Sequence, residues 1–199
     1  MGTSTYQKLD QLHRPVSSAG IWRIMPKRHI KRPLGMGFGY SRFAAPSEEF
    51  KVLYATPNFE TALRESLIRD RYDQKKQRRI AEHTLRNHAS AVIVTIEEIL
   101  LLDLTDGGAH KVGVPSDIRH AKDYQKSQAF ALEVYQQMPE VDGFLYRSRL
   151  DDQPCISVFD RAVTTKLHSP HQLSLASNPL TRPALKKMNI RTFKWRGKA

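Results

Sequence analysis

The apolar residues of this chain come in short runs: IWRIM (21–25), FKVLYA (50–55), AVIVTI (91–96), LLLDL (100–104), GFLYR (143–147) and CISVF (155–159). Runs of five or six residues bounded by Gly, Pro or Asp read as β-strands. None approaches the ~20 apolar residues that a membrane-spanning helix requires. Helical spacing fills the gaps. From about Pro57 to Arg71, Phe59, Ala62, Leu63, Ser66 and Leu67 share one face, with Thr56 as N-cap and Pro57 in the first position. The charged stretch Tyr72–Asn87 reads as a continuation of helix with fewer core contacts. Lys122–Met138 is a second amphipathic helix, anchored by Tyr124, Ala131, Leu132 and Tyr135 and ended by Pro139. Strands and helices are interspersed without a regular βαβ rhythm. The pattern predicts an α+β fold, a compact mixed sheet with flanking helices.

Composition sets further bounds. At 199 residues with 40% hydrophobic content, the chain can bury one domain-sized core. A single cysteine, Cys155, excludes an internal disulfide framework and fits a reducing compartment. Met1–Asp10 is polar and lacks the apolar stretch of a secretory signal, so a cytoplasmic protein with no membrane partner is expected. The formal net charge of +12 is unevenly placed. From Arg161 to Ala199 there are nine basic residues and no Asp or Glu, which leaves 23 basic against 20 acidic residues before it. Such a segment suits an anionic partner, nucleic acid among them, or is a solvated face. This reading divides the chain into a lead-in at 1–19, a folded domain at 20–162 and a basic C-terminal extension at 163–199.

Few motifs carry chemistry. Gly35-Met-Gly-Phe-Gly39 is followed by no Gly-Lys-Ser/Thr and opens no helix, so it is a bent loop and not a phosphate-binding loop of either familiar kind. His168 and His171 are close, but too few ligands accompany them for a zinc site, and no metal is expected. Cys155 opens an apolar strand and reads as a buried structural thiol. Three polar residues attached to apolar elements remain. Arg23 interrupts the first strand, Glu65 stands on the shoulder of the helix face, and Ser148 follows the strand GFLYR. Each has a plain reading, as an edge-strand arginine, a surface carboxylate and a turn serine. Each also has a chemical one: arginine holds phosphate through paired hydrogen bonds, and a carboxylate stabilises a cationic ribosyl transition state.

The segments IWRI (21–24), GYSRF (39–43), VLYATPNFETALRESLIRDR (52–71), DGFLYRSRL (142–150) and CISVFDRA (155–162) occur in an order that resembles the RES-domain family, named for its Arg, Glu and Ser. The resemblance implies a fold similar to that of ADP-ribosyltransferase toxins and an enzyme that consumes NAD+, commonly as the toxin of a toxin–antitoxin pair. Carried onto this sequence, it makes Glu65 the catalytic carboxylate and Ser148 its partner or a ribose ligand. It sets Arg23 and Arg42 on the NAD+ diphosphate or an incoming phosphate, and Tyr54 beside nicotinamide. Many members carry Gly-Gly-Arg-Trp-Asn where this chain has Gly39-Tyr-Ser-Arg42-Phe43. NAD+ would be the substrate, phosphate a co-substrate, and no group would be bound as a catalyst. The activity implied is that of an NAD+ phosphorylase or glycohydrolase, with transfer of ADP-ribose to a protein as an alternative. A cognate antitoxin is the protein partner expected. A basic module that binds nucleic acid through its C-terminal segment, without catalysis, is the reading from another class.

Overall fold

In the computed structural model, residues 13–16, 20–69, 78–105 and 124–194 are described. The expected α+β architecture is present, organised as two antiparallel-rich sheets and a small strand pair with helices packed on them. The larger sheet has the order β1 (His13–Val16), β6 (Ile99–Asp103), β7 (Gly143–Arg147), β8 (Pro154–Phe159) and β3 (Val52–Ala55). Only its β6–β7 contact is parallel. The second sheet runs β2 (Ile21–Pro26), β5 (His88–Thr95), β9 (Leu167–Ser174), antiparallel throughout. A parallel pair joins β4 (Arg79–Ala81) to β10 (Arg191–Phe193).

The period-two alternation of the strands sorts residues between two cores. On one face of the large sheet, Leu102, Phe144, Tyr146, Cys155 and Phe159 are buried with Phe130, Ala131 and Val134 of helix α3 (Gln125–Gln137). On the other, Leu53, Ala55, Leu101, Ile156 and Val158 meet Ile21 and Ile93 of the second sheet. Gly143 is obligatory at its position, because a Cβ there would lie 1.9 Å from the Ser157 carbonyl oxygen across the β7–β8 ladder. The sheets are also tied by backbone. Trp22 and Thr56 exchange N–H···O bonds of 2.7 and 3.0 Å, which fixes β2 against the end of β3.

Three expectations are corrected. The first helix, α1 (Phe59–Leu63), is capped by Asn58, whose Oδ1 accepts from the N–H groups of Glu60 (2.8 Å) and Thr61 (3.2 Å). Thr56 is otherwise engaged, its hydroxyl donating to the Pro154 carbonyl at 2.7 Å. The helix then widens into a π-helical turn at Arg64–Ile68, where the Ser66 hydroxyl donates back to the Ala62 carbonyl and competes with the α-helical ladder. Its continuation at 70–71 lies outside the described residues. Second, Tyr72–Asn87 is not one helix: 72–77 lie outside the described residues, and the rest is β4 followed by the short helix α2 (Glu82–Arg86). Ile80 is fully buried beside a strand that arrives from the far end of the chain.

Third, the chain after residue 162 does not stand apart from the fold. Helix α4 (Asp160–Lys166) leads into β9, which pairs with β5, and Leu175 is fully buried. Helix α5 (Thr181–Lys187) buries Ala184 and Leu185, and with Met188 and Ile190 these pack on Ile24, Leu63 and Leu67. Arg182, Lys186, Lys187 and Arg191 are exposed, on the outer side of a segment whose apolar face completes the core. The lead-in at 1–19 lies outside the described residues except for β1. No helix among the described residues is long and apolar enough to cross a membrane.

Candidate active site

Glu65 sits on the π-helical turn and Ser148 just past β7, where it continues the Phe144, Tyr146 alternation onto the same face. The Ser148 hydroxyl donates to Glu65 Oε1 at 2.6 Å and accepts from the Leu150 N–H at 3.1 Å. Ser148 is buried, so the carboxylate is held from behind by a group that cannot turn to solvent. The two elements are also locked through Asp151, whose Oδ2 accepts from the Thr61 hydroxyl at 2.9 Å and lies 3.3 Å from Arg64 Nε. The turn Asp151–Pro154 thus fixes the helix that carries Glu65.

Two cavities meet at this carboxylate. One, of about 240 Å³, is bordered by Arg42, Arg69 and Arg149 on its cationic side and by Tyr40 and Tyr124 at its mouth. The other, about 80 Å³, reaches Trp22, Arg23 and Ser66. Tyr54, Glu65 and Tyr146 belong to both. All five residues singled out from sequence therefore converge: Arg23, Arg42, Tyr54 and Glu65 line one or both cavities, and Ser148 braces Glu65 from beneath.

Arg23 projects from β2, and its Nη1 donates to the Pro33 carbonyl at 3.0 Å. It has no carboxylate partner among the described residues, and desolvation lowers its pKa to about 10. At neutral pH it is a half-buried cation whose charge is not neutralised, which favours an anionic ligand. Arg42 lies over the Tyr146 ring, 5.3 Å from its centroid, and reaches the Arg147 carbonyl at 3.5 Å. Its loop is anchored by Tyr54. The Tyr54 hydroxyl accepts from the Phe43 N–H at 2.9 Å and shares a 3.0 Å hydrogen bond with Ser41. Burial pushes the Tyr54 phenol up to about 12, with the bonds to Ser41 and Phe43 opposing that rise, so it stays neutral. Burial likewise raises the Tyr146 phenol well above 10.

Sequence reasoning missed Tyr146, Arg69, Arg149 and Asp151. The first three were within reach: Tyr146 and Arg149 flank Ser148 in DGFLYRSRL, and Arg69 is one turn past Glu65. Asp151 gave no signal beyond its place in a turn. Cys155 is buried, and desolvation followed by the Glu65 charge pushes its thiol up to about 12, in keeping with a structural role.

A fold of this topology with a serine-held glutamate between two arginine-bordered cavities defines a class. The chain belongs to the RES domain family, whose model matches residues 20–180. That match runs 18 residues beyond position 162 and covers β9. The structure is also similar to a chain in the crystal structure of the M. tuberculosis MbcT–MbcA toxin–antitoxin complex. The TM-score is 0.65 at 18% identity, over 92% of this chain and 97% of that one. No curated protein matches the sequence.

Proposed function

We propose that the protein cleaves the bond between nicotinamide and ribose in NAD+ and acts as the toxin of a toxin–antitoxin pair. The observation that carries the chemistry is the Glu65 carboxylate, fixed by Ser148 at 2.6 Å where the two cavities meet, with Arg23 bordering one and Arg42 the other. Membership of the RES domain family and the fold shared with a chain of a toxin–antitoxin complex support the biological role, with a protein antitoxin as partner.

The arrangement suits a dissociative substitution at the ribose carbon. Arg23 and Arg42 bind the diphosphate and orient the dinucleotide, while Tyr54 and Tyr146 wall the space around the leaving group. As the C1″–N1 bond lengthens, its electron pair goes to the pyridinium ring, which leaves as neutral nicotinamide and needs no acid. Positive charge then grows on C1″ and its ring oxygen, and the fixed Glu65 carboxylate stabilises it. Ser148 keeps Glu65 pointing inward, so little reorganisation is required when the charge develops. A nucleophile closes the reaction. Water gives ADP-ribose and a proton, and phosphate gives ADP-ribose 1″-phosphate. The cationic border favours phosphate.

The experiment is to incubate purified protein with NAD+ in phosphate and in phosphate-free buffer and to weigh the products. Nicotinamide is released in both, and in phosphate buffer the ribosyl product gains the mass of phosphate. Intact NAD+ in both buffers refutes the reading.

A further inference from the structure

A third cavity, of about 210 Å³, adjoins the larger cleft and shares Arg69 and Leu150 with it. Its walls are of two kinds. Arg64, Arg69 and Arg78 line it with no carboxylate among the described residues, while Ile68, Met188 and Ile190 with Leu150 make the apolar remainder. Arg64 is paired with Asp151 at 3.3 Å. The net positive charge therefore comes from Arg69 and Arg78, whose side chains have no acidic partner among the described residues. The π-helical turn organises both sites at once: Glu65 faces the cleft, while Arg64 and Ile68 face the third cavity.

A cationic rim over an apolar wall matches a nucleotide. Phosphate pairs with guanidinium groups through charge-assisted hydrogen bonds, and the base lies against apolar surface or an arginine plane. Size points the same way. Even with the cavity of about 80 Å³ that meets it at Glu65, the cleft of about 240 Å³ reaches only the lower end of the ~300–1,000 Å³ typical of pockets that bury a whole drug-sized ligand. A dinucleotide must extend past it, and the shared wall at Arg69 and Leu150 leads into the third cavity.

We propose that this cavity binds a nucleoside monophosphate group, the half of the dinucleotide remote from the bond broken beside Glu65. Its catalytic sense rests on the NAD+ reading above; the binding itself does not. The exposed Arg78 side chain allows a test without disturbing the core. AMP, nicotinamide mononucleotide and inorganic phosphate are titrated by calorimetry into the wild type, Arg78→Glu and Arg78→Lys. AMP binds the wild type, at least tenfold more weakly the glutamate variant, and with intermediate affinity the lysine variant, whereas the affinity for nicotinamide mononucleotide changes less than threefold. In turnover, kcat/KM for NAD+ falls about tenfold more in Arg78→Glu than kcat/KM for the mononucleotide, through KM. AMP affinity within twofold of wild type in Arg78→Glu overturns the assignment. So does inorganic phosphate that binds as tightly as AMP with the same dependence on residue 78, since that describes a bare phosphate site. Arg78-dependent AMP binding without nicotinamide release would leave this site standing and sink the catalytic reading; nicotinamide release without AMP binding would do the reverse.

Discussion

Replacing Ser148 with alanine separates the positioning of Glu65 from its charge. The substitution deletes the 2.6 Å hydrogen bond to Glu65 Oε1 and the acceptor of the Leu150 N–H, and leaves the carboxylate in place. Hydrogen bonds to charged groups contribute about 1.5–3 kcal/mol, more than neutral ones. If that bond holds Glu65 in the geometry that meets the ribosyl cation, its loss appears in the barrier, and at about 1.36 kcal/mol per tenfold the expected fall in kcat is ~10–150-fold. KM for NAD+ should change less than about threefold, because a group that acts only as charge develops contributes little to ground-state binding. The fold should lose ~1.5–3 kcal/mol, a drop in Tm of roughly 3–12 °C for a chain of this size. Initial rates of nicotinamide release over a range of NAD+ concentrations, with a thermal melt of the same samples, measure all three. A folded Ser148→Ala protein with kcat within twofold of wild type would show that Ser148 does not position the carboxylate.

Three other outcomes follow from the same geometry. Tyr54→Phe leaves the Phe43 N–H without its 2.9 Å acceptor and frees the loop carrying Arg42; Tm should fall by roughly 2–8 °C for ~1–2 kcal/mol, and KM for NAD+ should rise. A chain ended at residue 162 loses β9 and the apolar face of α5, so it should show no cooperative thermal transition and no turnover; a folded truncated protein would contradict the packing described. Cys155, raised from 9.0 to about 12, should remain unmodified by a thiol reagent at pH 8 until denaturant is added. Because the unfolded thiol ionises near pH 9 and the folded one does not, its contribution to stability is intact below pH 9 and is lost as pH rises towards about 12, which an alkaline series of melts on wild type and Cys155→Ser can follow.

The parts of the fold that could be read from the chain were those in which one residue pattern decides the structure. Strands β7 and β8 were legible because Phe144/Tyr146 and Cys155/Phe159 alternate against Leu145 and Ile156, each set meeting a different core. The parts that could not be read depend on distant partners. Arg79–Ala81 is a strand only because Arg191–Phe193 lies beside it, and its short charged surroundings carry no period of their own. The C-terminal segment misled because net charge describes an outer surface and says nothing of an inner one: Leu185, Met188 and Ile190 hold the core while Lys186 and Lys187 are exposed. At the site, Arg23, Glu65 and Ser148 stood out as polar residues on apolar elements, and their convergence came from the resemblance.

The central claim is that Glu65 stabilises a ribosyl cation formed as nicotinamide leaves NAD+. Its most direct test is the single-turnover rate of nicotinamide release by wild type and Glu65→Gln, at saturating NAD+ and in phosphate buffer. The glutamine keeps the size of the side chain and a hydrogen-bonding carbonyl for Ser148 but removes the charge. Loss of such a charge interaction should slow release by a factor of about 10²–10³, with NAD+ still bound. Release at an unchanged rate from a folded Glu65→Gln protein would contradict the account.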